Sequence, residues 1–421
     1  MDNPVLVFSD EAEGEIVDYC LRETIARVAT LSDSKTYSLL GSSVNAALQR
    51  GGITTSSIIL SGDGLVADEQ AIASILLDVD VGTQAIIAVG AGTITDIGRF
   101  VSHRLQKRFI SVPTAPSVDG YASSGAPIVI KGYKRTIRCH APEAIFVSLP
   151  TLTAAPARMI AAGFGDVVGK AVALADWRLA ALLVDARYDP QIADQTRRTY
   201  ERTVANVHGI ARREPRAIRE LFDGLTITGD AIDRFGSPEP ASGSEQSISR
   251  FIEMRRLLMK RPPLLHGAKV AIGTLIAASW YKWLLHWDKH ELKERTVAIP
   301  EFEADVLAVQ QLLGSTGDLL LDNNSFLSTL SYQTVAGIKA RLLEHWDEIQ
   351  EIARQVPEPE DLRELFAIVG APRTPEELGL TQKDVAEASR FSHYVDSRFT
   401  LKTLFFTLGL KPPEYRTAGA D

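Results

Sequence analysis

Short β-branched runs alternate with helix-patterned segments across the first third of the chain, and few architectures accept that alternation. KTYSLL, SSIILSG, QAIIAVG, RFISV, APIVI and AIFVSL have the length and composition of strands. Segments near 43–50, 66–79 and 93–106 carry helical spacing. A parallel pair of strands needs a crossover long enough to hold such a helix, so the pattern predicts a parallel, helix-covered α/β sheet. After about residue 155 the pattern changes. PARMIAAGFGDVVGKAVALADWRLAALL and AKVAIGTLIAASWYKWLLHW are rich in Ala and Leu, periodic at helical spacing and poor in strand signals. Two domains are expected: α/β over residues 1–155 and all-helical over 156–421. RFGSPEPASGSE reads as a loop between helices, and PEPEDLRE and APRTPEELGL as turns that start helices.

A chain of 421 residues is long enough for two such cores. Its net charge of -8 and its lack of a basic run disfavour a nucleic-acid surface. Cys20 and Cys139 form no CxxC and no disulfide framework, which fits structural roles in a reducing compartment. The opening stretch MDNPVLVFSDEAEGE is acidic without a signal-peptide pattern, and no apolar run is long enough to span a bilayer. The expectation is a cytoplasmic protein without membrane contact.

QAIIAVGAGTITDIGRF reads as a strand, a glycine turn and an amphipathic helix. Gly90 and Gly92 let backbone N–H groups approach a pyrophosphate, and the helix N-terminus adds positive potential. A tight strand-to-helix turn that merely needs small residues explains the same motif. The next strand, RFISV, runs into PTAPSVDGYASS, where Thr114, Ser117, Ser123, Ser124 and Asp119 gather at the same carboxyl edge of the sheet. Ligands of open parallel sheets bind at that edge, so two successive polar strand ends point to a nucleotide site.

Further along, AGFGDVVGK places Asp166 after a Gly-Phe-Gly turn, where a helix cap is the ordinary role of an acid. In SGSEQSISRFIEM, Ser242 and Ser244 are cap candidates, and Gln246 and Arg250 stand one helical turn apart. LLHGAKV puts His266 at a helix start, where a satisfied core histidine is the ordinary reading. Lys170, four residues after Asp166, reads as its solvated helical partner. His286 and His290, near Trp283 and Trp287 on one helical face, read as core or subunit contact. Arg135, Arg138 and His140 read as a solvated basic edge.

Taken in order, IIAVGAGTITDI, TAPSVDGYASS, AGFGDVVGK, SGSEQSIS and LLHGAKV resemble the glycerol-1-phosphate dehydrogenases, the bacterial type more than the archaeal. That family belongs to the superfamily of iron-containing alcohol dehydrogenases and dehydroquinate synthases. The likeness runs from about residue 35 to 290 and implies an N-terminal nucleotide-binding domain, a helical C-terminal domain and an active site in the cleft between them. It implies that Gly90, Ala91, Gly92, Thr93, Ile94, Thr114, Ser117 and Ser123 bind NAD or NADP, and that Asp119 contacts substrate. It also implies that Asp166 and His266 ligate a divalent metal such as nickel, zinc or iron, with Asp166 touching substrate as well.

The chain departs from the family where a third ligand and a substrate-facing histidine are expected, for these positions are Gln246 and Arg250. A glutamine amide is a weak donor to such metals, and an arginine cannot ligate one. Three readings follow. A weak metal site persists while Arg250 grips a substrate phosphate; the guanidinium replaces the metal at the reacting oxygen; or the site has decayed and Arg250 pairs with Asp166. The resemblance implies an NAD(P)-dependent oxidoreductase for a small phosphorylated polyol or its ketone, with Asp119, Asp166, Arg250 and His266 at the chemistry. The same scaffold would also suit a non-redox lyase or cyclase, or a regulatory protein that binds a phosphosugar or nucleotide. Apolar surface including Trp280, Trp283 and Trp287 leads to the expectation of at least a homodimer.

Overall fold

A computed structural model describes residues 4–61 and 64–415. Residues 1–3 of the acidic opening stretch and Gly62, the end of the SSIILSG run, lie outside the described residues. The chain divides into two compact units, residues 1–164 with 205–234, and residues 165–204 with 235–421.

Among its described residues the first unit is built on eight strands: β1 (Val5–Ser9), β2 (Arg27–Asp33), β3 (Thr54–Leu60), β4 (Ala85–Gly90), β5 (Arg108–Pro113), β6 (Gly125–Ile130), β7 (Tyr133–Arg138) and β8 (Ala144–Ser148). Six form one sheet in the order β1-β8-β5-β4-β2-β3, and every pairing in it is parallel. The central strand β4, AIIAVG, is buried at every position, as a strand covered by helices on both faces must be. Ile86, Ile97 and Phe109 fill the core on one face, and Ile87, Ile110 and Phe146 fill it on the other. From β2 the chain steps outward to β3 and then returns to place β4 on the opposite side of β2. The strand order therefore reverses between β2 and β4, and the crevice at their carboxyl ends is where such sheets bind ligands.

Two of the sequence-predicted strands are placed differently. KTYSLL is helical, spanning the turn Ser34–Thr36 and a wider π turn at Tyr37–Gly41. The cause lies just before it, where Asp33 accepts hydrogen bonds from the Lys35 and Thr36 N–H groups while the Thr36 hydroxyl accepts one from Asp33 N–H. That reciprocal cap starts a helix, so the strand of this region is the preceding RVATLSD. APIVI is a strand, but β6 pairs antiparallel with β7 in a separate ribbon. Its Lys131-Gly132 turn has both φ angles positive, at 52° and 78°, the geometry of a two-residue hairpin.

The helix Pro215–Phe235 carries the same periodicity as the helical half, yet residues 205–234 fold with the sheet. Phe222 meets Phe8 of β1 edge-on at 5.9 Å and packs on Tyr121 at 5.3 Å. The second unit contains no strand among its described residues. Its central helix, His266–Leu284, is buried on all sides, as its run of Gly, Ala, Ile and Leu demands. Trp280, Trp283 and Trp287 all pack against Phe405 of the same chain, with Trp280 buried in the core and Trp283 and Trp287 partly exposed. His286 and His290 are exposed and lie beyond that helix, His290 within a separate helix at Lys289–Glu294, so they do not share one helical face. Among the described residues no helix is long and apolar enough to cross a membrane.

Candidate active site

At the end of β4, Gly90 and Ala91 turn the chain into the helix Gly92–Arg104. Among the described residues no side chain caps that helix at Ala91, so no side-chain cap takes up its first N–H groups. A side chain at either glycine would collide, because a Cβ on Gly90 would stand 2.6 Å from Ile94 Cβ and one on Gly92 2.9 Å from Val118 Cγ2. Thr93 lies in the first turn, whereas Ile94 turns its side chain into the core and props the glycine turn from below. Thr114 N–H donates to Gly90 O at 3.2 Å and ties the next strand end to the turn.

The segment from Thr114 to Gly125 is clamped from three sides within the first unit. From the helix Gly92–Arg104, Arg99 donates to the carbonyls of Gly120, Tyr121 and Gly125. From the helix Pro215–Phe235, Gly229 approaches so closely that a Cβ would stand 2.4 Å from Asp119 O, and Asp233 accepts the Ser124 hydroxyl at 2.7 Å. From the helix Ala157–Val168, Gly163 leaves room for Pro116 O, which a Cβ would meet at 1.8 Å. Inside the loop the Tyr121 hydroxyl donates to Ala115 O at 2.6 Å and lies 3.2 Å from Ser117 Oγ. Ser117 and Ser123 are both buried, and Asp119 is partly exposed. Arg99, Tyr121, Gly163 and Gly229 carry no motif that singles them out in the sequence.

In the second unit three predicted residues converge. Asp166 lies inside the helix Ala157–Val168 rather than after a turn, and the Gly-Phe-Gly before it is helical. Gly165 serves helix contact instead: a Cβ there would stand 2.6 Å from Gly267 O. Likewise, Gly273 lets the helix His266–Leu284 meet the helix Ser244–Leu258 at Glu245 O. These approaches bring Gln246 Nε2 to 3.2 Å and His266 Nε2 to 4.0 Å from Asp166 Oδ1. Neither Ser242 nor Ser244 caps the Gln246 helix, whose N-cap is Gly243; Ser244 N–H instead donates to buried Asp176. Lys170, expected to be solvated, is fully buried, with Nζ 3.3 Å from Asp166 Oδ1 and 3.0 Å from Ala241 O. Arg250 is partly exposed, and its Nη1 lies 3.8 Å from Asp396 Oδ2. That carboxylate also binds Arg398 at 2.6 Å and Ser247 Oγ at 3.2 Å. Burial pushes the Asp396 carboxyl up, but Arg398 and Arg250 outweigh it and hold it well below the usual range.

The basic edge is split: Arg135 and Arg138 are exposed on β7, while half-buried His140 lies with Nε2 3.0 Å from Ser102 Oγ and its ring against His103.

An iron-containing alcohol dehydrogenase family model matches residues 7–156. Glycerol-1-phosphate dehydrogenase (NAD(P)+) of Geobacillus stearothermophilus is 34% identical over 400 residues, covering 94% of this chain and 90% of the relative. The chain belongs to the glycerol-1-phosphate dehydrogenase family. The protein of the same name from Bacillus subtilis (strain 168) is 36% identical over 287 residues, 67% of this chain and 73% of that one. Glycerol dehydrogenase from Schizosaccharomyces pombe superposes with a TM-score of 0.62 at 16% identity, over 97% of this chain and 89% of that one, which shows a shared fold.

For this member of the glycerol-1-phosphate dehydrogenase family, the Asp166 cluster does not fit a divalent metal as it stands. Gln246 presents an N–H to the carboxylate rather than a lone pair to a cation, and the Lys170 ammonium already faces the same oxygen. Among the described residues no group of three His, Cys, Asp or Glu side chains is placed to hold a metal ion. The Gly90–Gly92 turn, by contrast, fits a dinucleotide pyrophosphate, with a helix start that no side chain caps at the carboxyl end of a central parallel strand.

Proposed function

We propose that the protein is an NAD(P)-dependent oxidoreductase interconverting a hydroxyl and a ketone on a small phosphorylated polyol, with glycerol-1-phosphate and dihydroxyacetone phosphate as the first pair to test. One observation carries the reading: the Gly90–Gly92 turn stands at the carboxyl end of the strand beside which the sheet order reverses, tied through Thr114 to the loop bearing Asp119. The nicotinamide, when bound, would accept or supply the hydride, while the hydroxyl proton passes to, or returns from, water. The chain supplies placement. Gly90, Ala91, Gly92, Thr93, Ile94, Thr114, Ser117 and Ser123 bind the dinucleotide, and Asp119 orients the substrate. Asp33 ends the neighbouring strand β2, and a carboxylate there favours the ribose diol of NAD over a 2′-phosphate.

In the second unit, Asp166 and His266 take the substrate end, and Arg250 grips the phosphate, since a guanidinium matches two phosphate oxygens at once. The reaction is proposed to run without a bound metal, because Lys170 supplies the positive charge at Asp166. Retention of the nucleotide turn favours the redox reading over a lyase, cyclase or regulatory protein. Assembly as a homodimer belongs to the same proposal, checked by sedimentation.

Nicotinamide fluorescence titration beside a turnover assay with dihydroxyacetone phosphate tests the proposal. Binding with turnover that survives a chelator, and substoichiometric zinc, nickel and iron by elemental analysis, is the expected result. Arg250→Ala should raise KM about 100-fold with a smaller effect on kcat if the phosphate is its target; a fall in kcat alone would move Arg250 to the reacting oxygen. One tightly held metal ion per chain, needed for turnover, would overturn metal independence.

A further inference from the structure

Arg99 directs both terminal nitrogens of its guanidinium at one loop and its own helix, with buried Nε alone lacking a hydrogen-bond partner, and the reading above gives it no part. Its side chain is fully buried. Nη1 donates to Asp96 Oδ1 at 3.1 Å and to Gly125 O at 2.9 Å; Nη2 donates to Gly120 O at 2.5 Å and to Tyr121 O at 3.1 Å. The guanidinium also lies 5.7 Å from the Phe109 ring centroid, on strand β5 of the sheet. A buried charge costs several kcal/mol unless its hydrogen bonds are met, so an apolar residue would serve simple packing at lower cost. Three of its four acceptors are main-chain carbonyls within one short loop. Only a rigid fork reaches carbonyls five residues apart while keeping an ion pair with its own helix; a lysine has one nitrogen to offer.

The two ends of this contact matter. Arg99 sits on the helix that begins at Gly92, and Gly120 directly follows Asp119. Gly120 O also accepts the Ser123 hydroxyl at 3.3 Å, so one carbonyl serves both Arg99 and a residue of the nucleotide set. We propose that Arg99 is a positioning residue for the reaction: it fixes the Gly120–Gly125 stretch to the nucleotide-binding helix and thereby sets the place of Asp119 and Ser123. This rests on the reading of the Asp119 loop as the substrate loop. Hydride transfer tolerates little misplacement, and a shift of about 1 Å is enough to cost about 100-fold in rate.

Arg99→Lys keeps the charge and its partner Asp96 but gives up the carbonyls. It should lower kcat for dihydroxyacetone phosphate reduction about 100-fold, with a smaller loss of NAD(P)H affinity by fluorescence because Ser123 is one dinucleotide contact among several. Arg99→Ala, assayed with guanidinium chloride below its denaturing range, should regain about tenfold in kcat as the free ion enters the vacated site, with no gain in the parent. A merely structural role would show as a lowered melting temperature without rescue. Parental turnover in Arg99→Lys, or a loss that follows unfolding and is not rescued by guanidinium, overturns the inference. Asp119→Asn separates the two levels. If it turns over like the parent, the substrate-loop reading fails; if it is inactive while Arg99→Lys is not, only the role of Arg99 fails.

Discussion

Lys170 Nζ stands 3.3 Å from Asp166 Oδ1 with both side chains fully buried. Neither buried charge has water to fall back on, and each is stabilised by the other, with the Ala241 carbonyl and the Gln246 amide among the groups around them. Lys170→Ala should therefore destabilise the protein by about 3–5 kcal/mol in urea denaturation, far more than the loss of an exposed helical pair. Adding Asp166→Ala should cost less than the sum of the two single changes, since the second removes the charge stranded by the first. Strict additivity would show that the pair is not the stabilising unit.

Gly229 makes a different kind of contact, with backbone instead of charge. A Cβ there would stand 2.4 Å from Asp119 O, and a carbonyl cannot swing aside as a side-chain tip can. Gly229→Ala should displace Asp119 and lower kcat/KM for the phosphorylated ketone about 100-fold, with nicotinamide binding nearly unchanged. Equal losses in cofactor affinity and turnover would place Asp119 at the cofactor rather than at the substrate.

These two relationships mark where the sequence stops being legible. The parallel sheet could be read because buried strands such as AIIAVG announce themselves by composition, and the nucleotide turn because a glycine pair between strand and helix has few uses. KTYSLL misled because its apolar residues suit either structure, and the deciding signal was the cap at Asp33 just outside it. The helix Pro215–Phe235 looks like any amphipathic helix, and nothing local says that Phe222 will pack on Phe8. Asp166, Gln246 and His266 could be brought together only through the family likeness, for they are distant in sequence and meet where Gly165 and Gly273 let helices touch. The burial of Lys170 was hidden because an i,i+4 pair reads the same on an exposed face and a buried one.

Asp96 offers a test through pH. Burial pushes its carboxyl up to about 7, against the pull of Arg99 and Lys134 and with help from the charge of Asp119. Between its unfolded value near 4 and about 7, the folded chain holds a proton that the unfolded chain has released. Stability must fall as pH rises through that window, by up to about 1.4 kcal/mol per pH unit from this group, and level off above it. Asp96→Asn should flatten the difference between pH 5 and pH 7 in denaturant midpoints relative to the parent. An unchanged slope would mean that Asp96 ionises in the folded protein as it does in water.

The last prediction concerns what the glycine at position 92 is for. A Cβ there meets Val118 Cγ2 at 2.9 Å, so two causes compete: crowding against Val118, or occupation of space a pyrophosphate needs. Gly92→Val should abolish nicotinamide binding under either cause and cannot choose between them. Gly92→Ala with Val118→Ala can, because the second change removes the methyl that the new Cβ would strike. If the pyrophosphate lies on the helix start, the methyl at position 92 still obstructs it, and the double variant should bind NADH at least about tenfold more weakly than Val118→Ala alone. Circular dichroism should match the parent in both, since Val118 is partly exposed and lies in a loop. Full recovery of affinity in the double variant would mean that the glycine serves only to seat Val118, and that the pyrophosphate does not lie over position 92.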